Sequence, residues 1–452
     1  MKTKIYKNLV KKINIGFATA VFSVAINFNT QAQSVDSLLD KLVQKGILTV
    51  KEANELREQS DQDFKNAFAA KTGLSEWVNS FKISGDVRGR YEGFYGDNDA
   101  FVQRDRFRYR ARLMFQAMML NNFEAGLRLT SSEAAGNFGG DPISGNTTFR
   151  DNASKKFLYI DLAYLKWNAI NSGNWNLSTT VGKMENPFSY SDMVFDPDYT
   201  PEGFGLNLEY ALSMNHKLKL NAGVFALDEL SASTQDPYLA GAQLMWSAKW
   251  NDKIDSTLGF GFLSINNDEK LNDATEIPNI NRGNYRTGGL SRYGFNPFII
   301  NGSVSYKLDK APLYSGAFPV TLWGEYMNNP AAPSSADNYA WSAGLTLGKA
   351  GKKRTYELGY TYKWLGANSW FEEVVDSDFG AYYAGTSPSN PGGAGYFAGT
   401  NVKGHIIRFV YSPTDFLSLS AKLFLTELID EPLTINRDSG MARFQVDMSL
   451  KF

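Results

Sequence analysis

Read as a strand, the segment Met441 to Phe452 (Met-Ala-Arg-Phe-Gln-Val-Asp-Met-Ser-Leu-Lys-Phe) fits very few surroundings. Strand side chains alternate between two faces, so Ala442, Phe444, Val446, Met448, Leu450 and Phe452 share one face. Arg443, Gln445, Asp447, Ser449 and Lys451 share the other. One wholly apolar and one wholly polar face suits a wall between lipid and water, and suits a strand buried on both faces poorly. An amphipathic edge strand of a soluble sheet would read the same way, so the rest of the chain has to decide.

From Phe81 onward the same period of two persists. It predicts sixteen strands, near 81–95, 102–119, 123–133, 157–169, 175–186, 204–213, 217–227, 238–250, 254–266, 293–307, 318–328, 339–349, 353–366, 402–411, 415–428 and 441–452. Tyr356, Leu358, Tyr360, Tyr362 and Trp364 form one clean apolar face, and Leu417, Leu419, Ala421, Leu423 and Leu425 another. The alternation breaks in 157–169 and 402–411, where bulges are expected. Tight turns at Asn121-Asn122, Asn171 to Asn174, Asn215-His216, Asn251-Asp252, Gly351-Lys352 and Ser412-Pro413-Thr414 alternate with longer polar connections, notably 134–156, 187–203, 267–292 and 367–401. Asp309 to Ala317 is a longer turn in the same series. Short turns on one side and long loops on the other are the mark of an all-β transmembrane antiparallel β-barrel, whereas a soluble sandwich needs neither the asymmetry nor sixteen strands with one apolar face.

Composition fits that architecture. The chain has 452 residues, 40 Gly, 14% aromatic residues and no Cys, with a negative mean hydropathy that is too polar for a helical membrane protein. Without Cys there is no disulfide framework, thiolate chemistry or lipidation site. Lys2, Lys4, Lys7, Lys11 and Lys12 precede an apolar run from Ile13 to Ile26 and the small-residue pattern Thr30-Gln31-Ala32, which predicts a signal peptide over 1–32 cut after Ala32. Its removal leaves 41 basic against 47 acidic residues, a balance opposite to that of a general nucleic-acid binder.

Residues 33–80 are expected to form a short periplasmic helical prefix and linker, ahead of a barrel over 81–452. Leu38, Leu39, Leu42 and Val43 share a helical stripe, Gly46 can close that helix, and Thr49 with Glu52 spells a capping box for a second helix carrying Ala53 and Leu56. Two aromatic bands are expected at the strand ends. Trp167, Trp175, Trp250, Tyr306, Tyr411, Phe416 and Phe452 lie beside turns, and Tyr91, Tyr95, Phe188, Phe204, Phe262 and Phe295 beside loops. Gly85, Gly89 and Gly93 fall on the lipid side of the first strand beside Val87 and Tyr91; this flat strip either admits a neighbouring barrel or only eases strand curvature.

Several of these segments resemble the putative porin family of outer-membrane proteins. They are Ile83 to Tyr91, Arg104 to Arg112, Ala125 to Leu129, Asp161 to Trp167, Gly182 to Phe188 and Pro201 to Gly203, with the prefix Leu38 to Thr49. The terminal Phe452 is similarly placed to the last residue of Gram-negative outer-membrane barrels, which the barrel assembly machinery reads. The resemblance implies residence in the outer membrane among its lipid and lipopolysaccharide, passage of small hydrophilic solutes or ions, and a homotrimer. It names no solute.

No catalytic constellation stands beside the two histidines, His216 and His405, so no enzyme is expected. No cofactor motif is present, and Asp192, Asp196, Asp198 and Glu202 lack the spacing of a dedicated calcium loop. An energy-coupled receptor would need a plug domain and about 22 strands, so passive diffusion is the expected mechanism. Arg104, Arg106, Arg108, Arg110 and Arg112 alternate with apolar residues and should face the lumen, with Arg88 and Arg90 on the first strand and Arg128 on the third. The loop 187–203, with its four acids Asp192, Asp196, Asp198 and Glu202, is expected to fold inward as a constriction facing this basic strip. That position in the chain is where resembling sixteen-stranded porins carry their constriction loop. Two alternatives stay open: the arginines pair with nearby acids and only solvate the wall, or the barrel is a non-conducting structural or adhesive one gripping the cell wall through its prefix.

Overall fold

A computed structural model describes residues 42, 43, 45, 48, 49, 52, 56, 75–135, 139–273, 282–287, 290–383, 395–431 and 438–452. The chain divides into two compact units, residues 1–81 with 117–121 and residues 82–116 with 122–452. In the first, the Glu52 amide donates to Thr49 Oγ1 (3.2 Å) and the Thr49 amide to Glu52 Oε2 (2.8 Å), the reciprocal contacts of a capping box. The leader and most of the helical prefix lie outside the described residues.

The second unit, together with residues 78–81 and 117–119 of the first, forms a closed antiparallel barrel. Its sixteen strands are β1 (Val78–Gly96), β2 (Arg104–Met119), β3 (Phe123–Ser131), β4 (Leu158–Ser172), β5 (Trp175–Lys183), β6 (Glu202–Ala211), β7 (His216–Ala226) and β8 (Tyr238–Lys249), then β9 (Ile254–Asn266), β10 (Phe298–Leu308), β11 (Phe318–Asn328), β12 (Tyr339–Gly348), β13 (Thr355–Leu365), β14 (Val402–Ser412), β15 (Leu417–Leu428) and β16 (Met441–Lys451). Each pairs with the next, and β1 pairs with β16 from Asp86↔Lys451 to Gly96↔Met441, so the wall has no free edge at its seam. All sixteen predicted strands are present, with ends within five residues of those expected.

Period two decides which residues meet lipid. On β13 Leu358 and Tyr360 are exposed while Lys363 between strand neighbours of the other face is fully buried. The turns obey backbone sterics: Asn121 and Asn122 both take positive φ (57° and 64°), the conformation a tight hairpin asks for at both central positions. β4 carries the bulges its broken pattern predicts, with Asp161 and Ala169 left out of the pairing with β3 and β5 respectively. They keep Leu158, Ile160, Leu165, Trp167 and Ile170 on the exposed face despite the extra residues. β14 carries no bulge, and its register runs unbroken against β13 and β15. Its irregular pattern arises because Val402 and Ile406 are apolar yet buried under loops.

The same cause corrects the loop-side aromatic band. Phe204 and Phe262 are exposed as expected, but Tyr95, Phe188 and Phe295 are buried. Phe188 and Phe295 join a hydrophobic core built by the segments 184–201 and 366–383 against the loop-end halves of the strands, including Phe225, Leu239, Leu263, Ile299, Met327 and Leu365. Trp370 lies at its centre, fully buried, edge-on to Phe195 and Phe295, with its indole N–H donating to Val194 O (2.9 Å). On the turn side Trp167, Trp175, Trp250, Tyr306, Phe416 and Phe452 are exposed, and Tyr411 is half-buried.

Candidate functional site: the lumen and its arginine wall

Alternation places the arginines of β1 and β2 inward, where a lone guanidinium in a partly desolvated lumen needs a partner. Arg90 forks onto Asp447 of β16, with Nε to Oδ1 at 2.7 Å and Nη2 to Oδ2 at 2.8 Å. Glu92 accepts from Arg106 Nε (2.5 Å), Arg108 Nη1 (3.4 Å) and Arg443 Nη2 (2.6 Å). Arg110 divides between Asp86 (3.0 Å) and Asp198 (2.8 Å), and Arg112 stands on the same two acids at 2.7 and 3.7 Å. On β3, Arg128 binds Asp161, the bulge residue of β4, at 2.5 Å, and also Glu185. Arg104 is exposed beside Arg106 and Arg108 around a 590 Å³ cavity at the loop end. Arg88 differs from Arg90, Arg110 and Arg112: its Nη2 donates to the Asn146 amide oxygen (2.6 Å), and it meets no carboxylate among the described residues.

The four acids expected on one loop have four different surroundings. Asp192 pairs with Lys363 of β13 (2.7 Å), which also holds Asp376 (3.0 Å). Asp196 meets no cation among the described residues; its carboxylate accepts the amides of Asp198 and Ser377, both at 2.7 Å. Burial pushes the Asp196 carboxyl well above its ordinary range, and Asp376 and Asp198 add to the rise. Asp198 reaches the arginine wall itself, so at this point the acidic loop and the basic strip touch rather than face across a gap. Glu202 opens β6 and pairs with Lys183 (2.9 Å).

Wall side chains fix the course of the loop. Gln243 of β8 accepts the Ser189 amide (2.8 Å) and donates to Ser189 O (3.1 Å), and Asn301 of β10 donates to the same carbonyl (2.9 Å). Glu325 of β11 accepts the Ser191 amide (3.1 Å). Loop 184–201 therefore touches β8, β10, β11 and β13 before returning to β2 through Asp198.

Two further cavities lie along the arginine wall. One, of about 1390 Å³, is lined by Asp198, Lys183, Glu202, Glu373 and loop residues. The other, of about 580 Å³, is lined by Asp86, Arg128 and turn residues such as Gly351 and Asp415. Arg110 and Arg112 line both. Burial raises the Glu373 carboxyl to about 7, with neighbouring Glu372 adding to it, while Asp378, buried between Arg443 and Arg90, is held well below the usual carboxylate range by those cations.

Sequence reasoning named the arginines but missed Arg443, Asp447, Asp378 and Lys363. Arg443 and Asp447 stood on the polar face of the last strand; only the seam register sets them opposite β1.

A closed sixteen-stranded barrel with an apolar exterior and a charged, loop-crossed interior defines an outer-membrane β-barrel protein. Residues 97–279 match the model of the family described as Putative porin. No curated protein sequence matches. Among solved structures, OprB of Pseudomonas putida in its high-pH form is 12% identical, with 85% of this chain and 96% of that chain covered and a TM-score of 0.49. OmpF of Salmonella typhi in complex with daunomycin is 10% identical, with 84% and 99% covered and a TM-score of 0.46. OccD3 of Pseudomonas aeruginosa is 12% identical, with 83% and 92% covered and a TM-score of 0.41.

Proposed function

We propose that the protein is an outer-membrane channel for passive diffusion of small hydrophilic solutes, with the path running along the β1–β3 arginine wall and loop 187–203 as its constriction. The observation that carries this reading is the sharing of Arg110 and Arg112 by a loop-end and a turn-end cavity. A charged path of this kind favours polar over apolar solutes, and an excess of arginine biases small-ion traffic towards anions. Planar-bilayer recording of the purified protein tests the reading: discrete conductance steps support it, and intact barrels that insert without conducting defeat it. The apolar loop core favours a second reading, a closed structural or adhesive barrel, and the same recording separates the two.

A homotrimer is the proposed assembly. The flat strip is narrower than the glycine spacing implied: Gly89 opens onto free space, whereas Gly85 lies under the Phe452 ring and Gly93 beside Tyr95 and Asp105. Native mass spectrometry in mild detergent tests this, and monomer alone would count against it.

A further inference from the structure

We infer that Arg88, Arg110 and Arg112 form an exchange site for the anionic oxygen group of a passing solute, a carboxylate or a phosphate, and that Asp198 is the resident occupant of that site. The inference rests on the channel reading.

The charges are uneven without the loop. The wall supplies three guanidinium groups and one carboxylate, Asp86, which contacts Arg110 and Arg112, while Arg88 meets Asn146. The second carboxylate, Asp198, comes from the loop. Even with Asp198 in place the set carries one unmatched positive charge, and Arg88 holds only a neutral amide. The Nε atoms of Arg88 and Arg110 are buried and meet no acceptor among the described residues, so donors are spare.

Position puts the site between two cavities. Asp86 lines the turn-end cavity and Asp198 the loop-end cavity, with Arg110 and Arg112 lining both, so these four side chains stand between them. A solute that follows the arginine wall from one cavity to the other parts Asp198 from Arg110. A neutral or cationic solute offers the arginines nothing in return and leaves two charges less well paired. A carboxylate or phosphate takes over the donors Asp198 gives up, because the guanidinium fork suits both groups. One ion pair then replaces another, and Asp198 turns into the larger cavity, which it lines. Anions of this class therefore open their own way.

Single-channel recording of the full-length protein in a KCl gradient tests this with Asp198→Asn and Asp198→Glu, using potassium acetate and potassium phosphate as probes. Asp198→Asn should raise the chloride-to-potassium permeability ratio roughly tenfold, because one unit charge at about 6 Å in a water-like dielectric shifts each ion about threefold, in opposite directions. It should also lengthen the current interruptions that acetate and phosphate cause, since their competitor is gone, and Asp198→Glu should restore wild-type behaviour. A conducting Asp198→Asn channel with unchanged permeability ratio and interruptions overturns the proposal. So does one whose conductance rises equally for both ions, which would make Asp198 a spacer. Arg88→Gln, which breaks no ion pair, should shorten the interruptions; no change there also overturns it. A wild-type protein that never conducts defeats the channel reading instead.

Discussion

Arg90 and Asp447 are register partners across the β1–β16 seam and meet through two parallel hydrogen bonds of 2.7 and 2.8 Å. Both side chains are buried, so removing one charge strands the other in a poorly hydrated site. Such losses cost about 3 to 5 kcal/mol, lessened here because Arg90 also touches Asp378 at 3.2 Å. Asp447→Asn is expected to lower the temperature at which the folded band in unboiled SDS gels converts to the unfolded one. An unchanged transition would mean that the pair contributes nothing to closure.

Replacing Arg106, Arg108 and Arg110 together with Ser removes three cations from the inner wall and leaves Glu92 with the Arg443 guanidinium and the Gln445 amide. Conductance should rise, and the reversal potential in a salt gradient should shift towards cation preference. If a correctly folded triple variant conducts as the wild type does, the ladder lies away from the narrow part of the path.

The pH response should report Glu373, whose carboxyl sits near 7 on the wall of the larger cavity. Because its folded-state pKa lies above the ordinary 4.5, the folded protein binds this proton more tightly than the unfolded chain. Its contribution therefore favours folding at low pH and is lost as pH rises from about 4.5 through about 7. Lowering the pH from about 8 to about 6 protonates Glu373, removes a negative charge from the cavity and moves selectivity towards anions. Glu373→Gln should abolish that part of the shift in reversal-potential measurements across the same range; an undiminished shift would assign it to other groups.

Gly182 and Gly203 face each other across β5 and β6 with φ of +112° and +156°. A Cβ at Gly182 would stand 2.3 Å from Ala163 O, and a side chain in that backbone region costs about 1 to 3 kcal/mol before the clash is counted. Gly182→Ala should lower the thermal transition clearly. Gly89→Ala, with nothing within 4 Å of the added carbon, should stay within about 0.5 kcal/mol of wild type.

The wall was legible because its physics is local. A period of two, β-branched and aromatic residues on one face and turn residues between runs specify sixteen strands without knowledge of what each strand touches. The bulges of β4 were legible too, since an extra residue disturbs the period. The filling of the lumen was not. Ile406, Phe225 and Leu263 are as apolar as any lipid-facing residue, and only the three-dimensional arrangement shows that loops cover them. Likewise the alternating arginines of β1 and β2 were visible, but Asp198, which holds Arg110, and Asp378, which holds Arg90 and Arg443, lie far off in the chain, at separations that no spacing rule reaches.

Asp378 also sets the order in which the protein can be built. It belongs to the loop between β13 and β14, yet it holds Arg90 of β1 and Arg443 of β16, the two strands that meet last when a linear chain is rolled into a cylinder. The apolar loop core cannot wait in lipid, because the Trp370 indole N–H and the Lys363 ammonium require the partners they have inside. Shutting the cylinder and packing its interior are therefore one event, and a mutation that spoils the packing should leave the first and last strands unjoined during assembly, far from the altered residue.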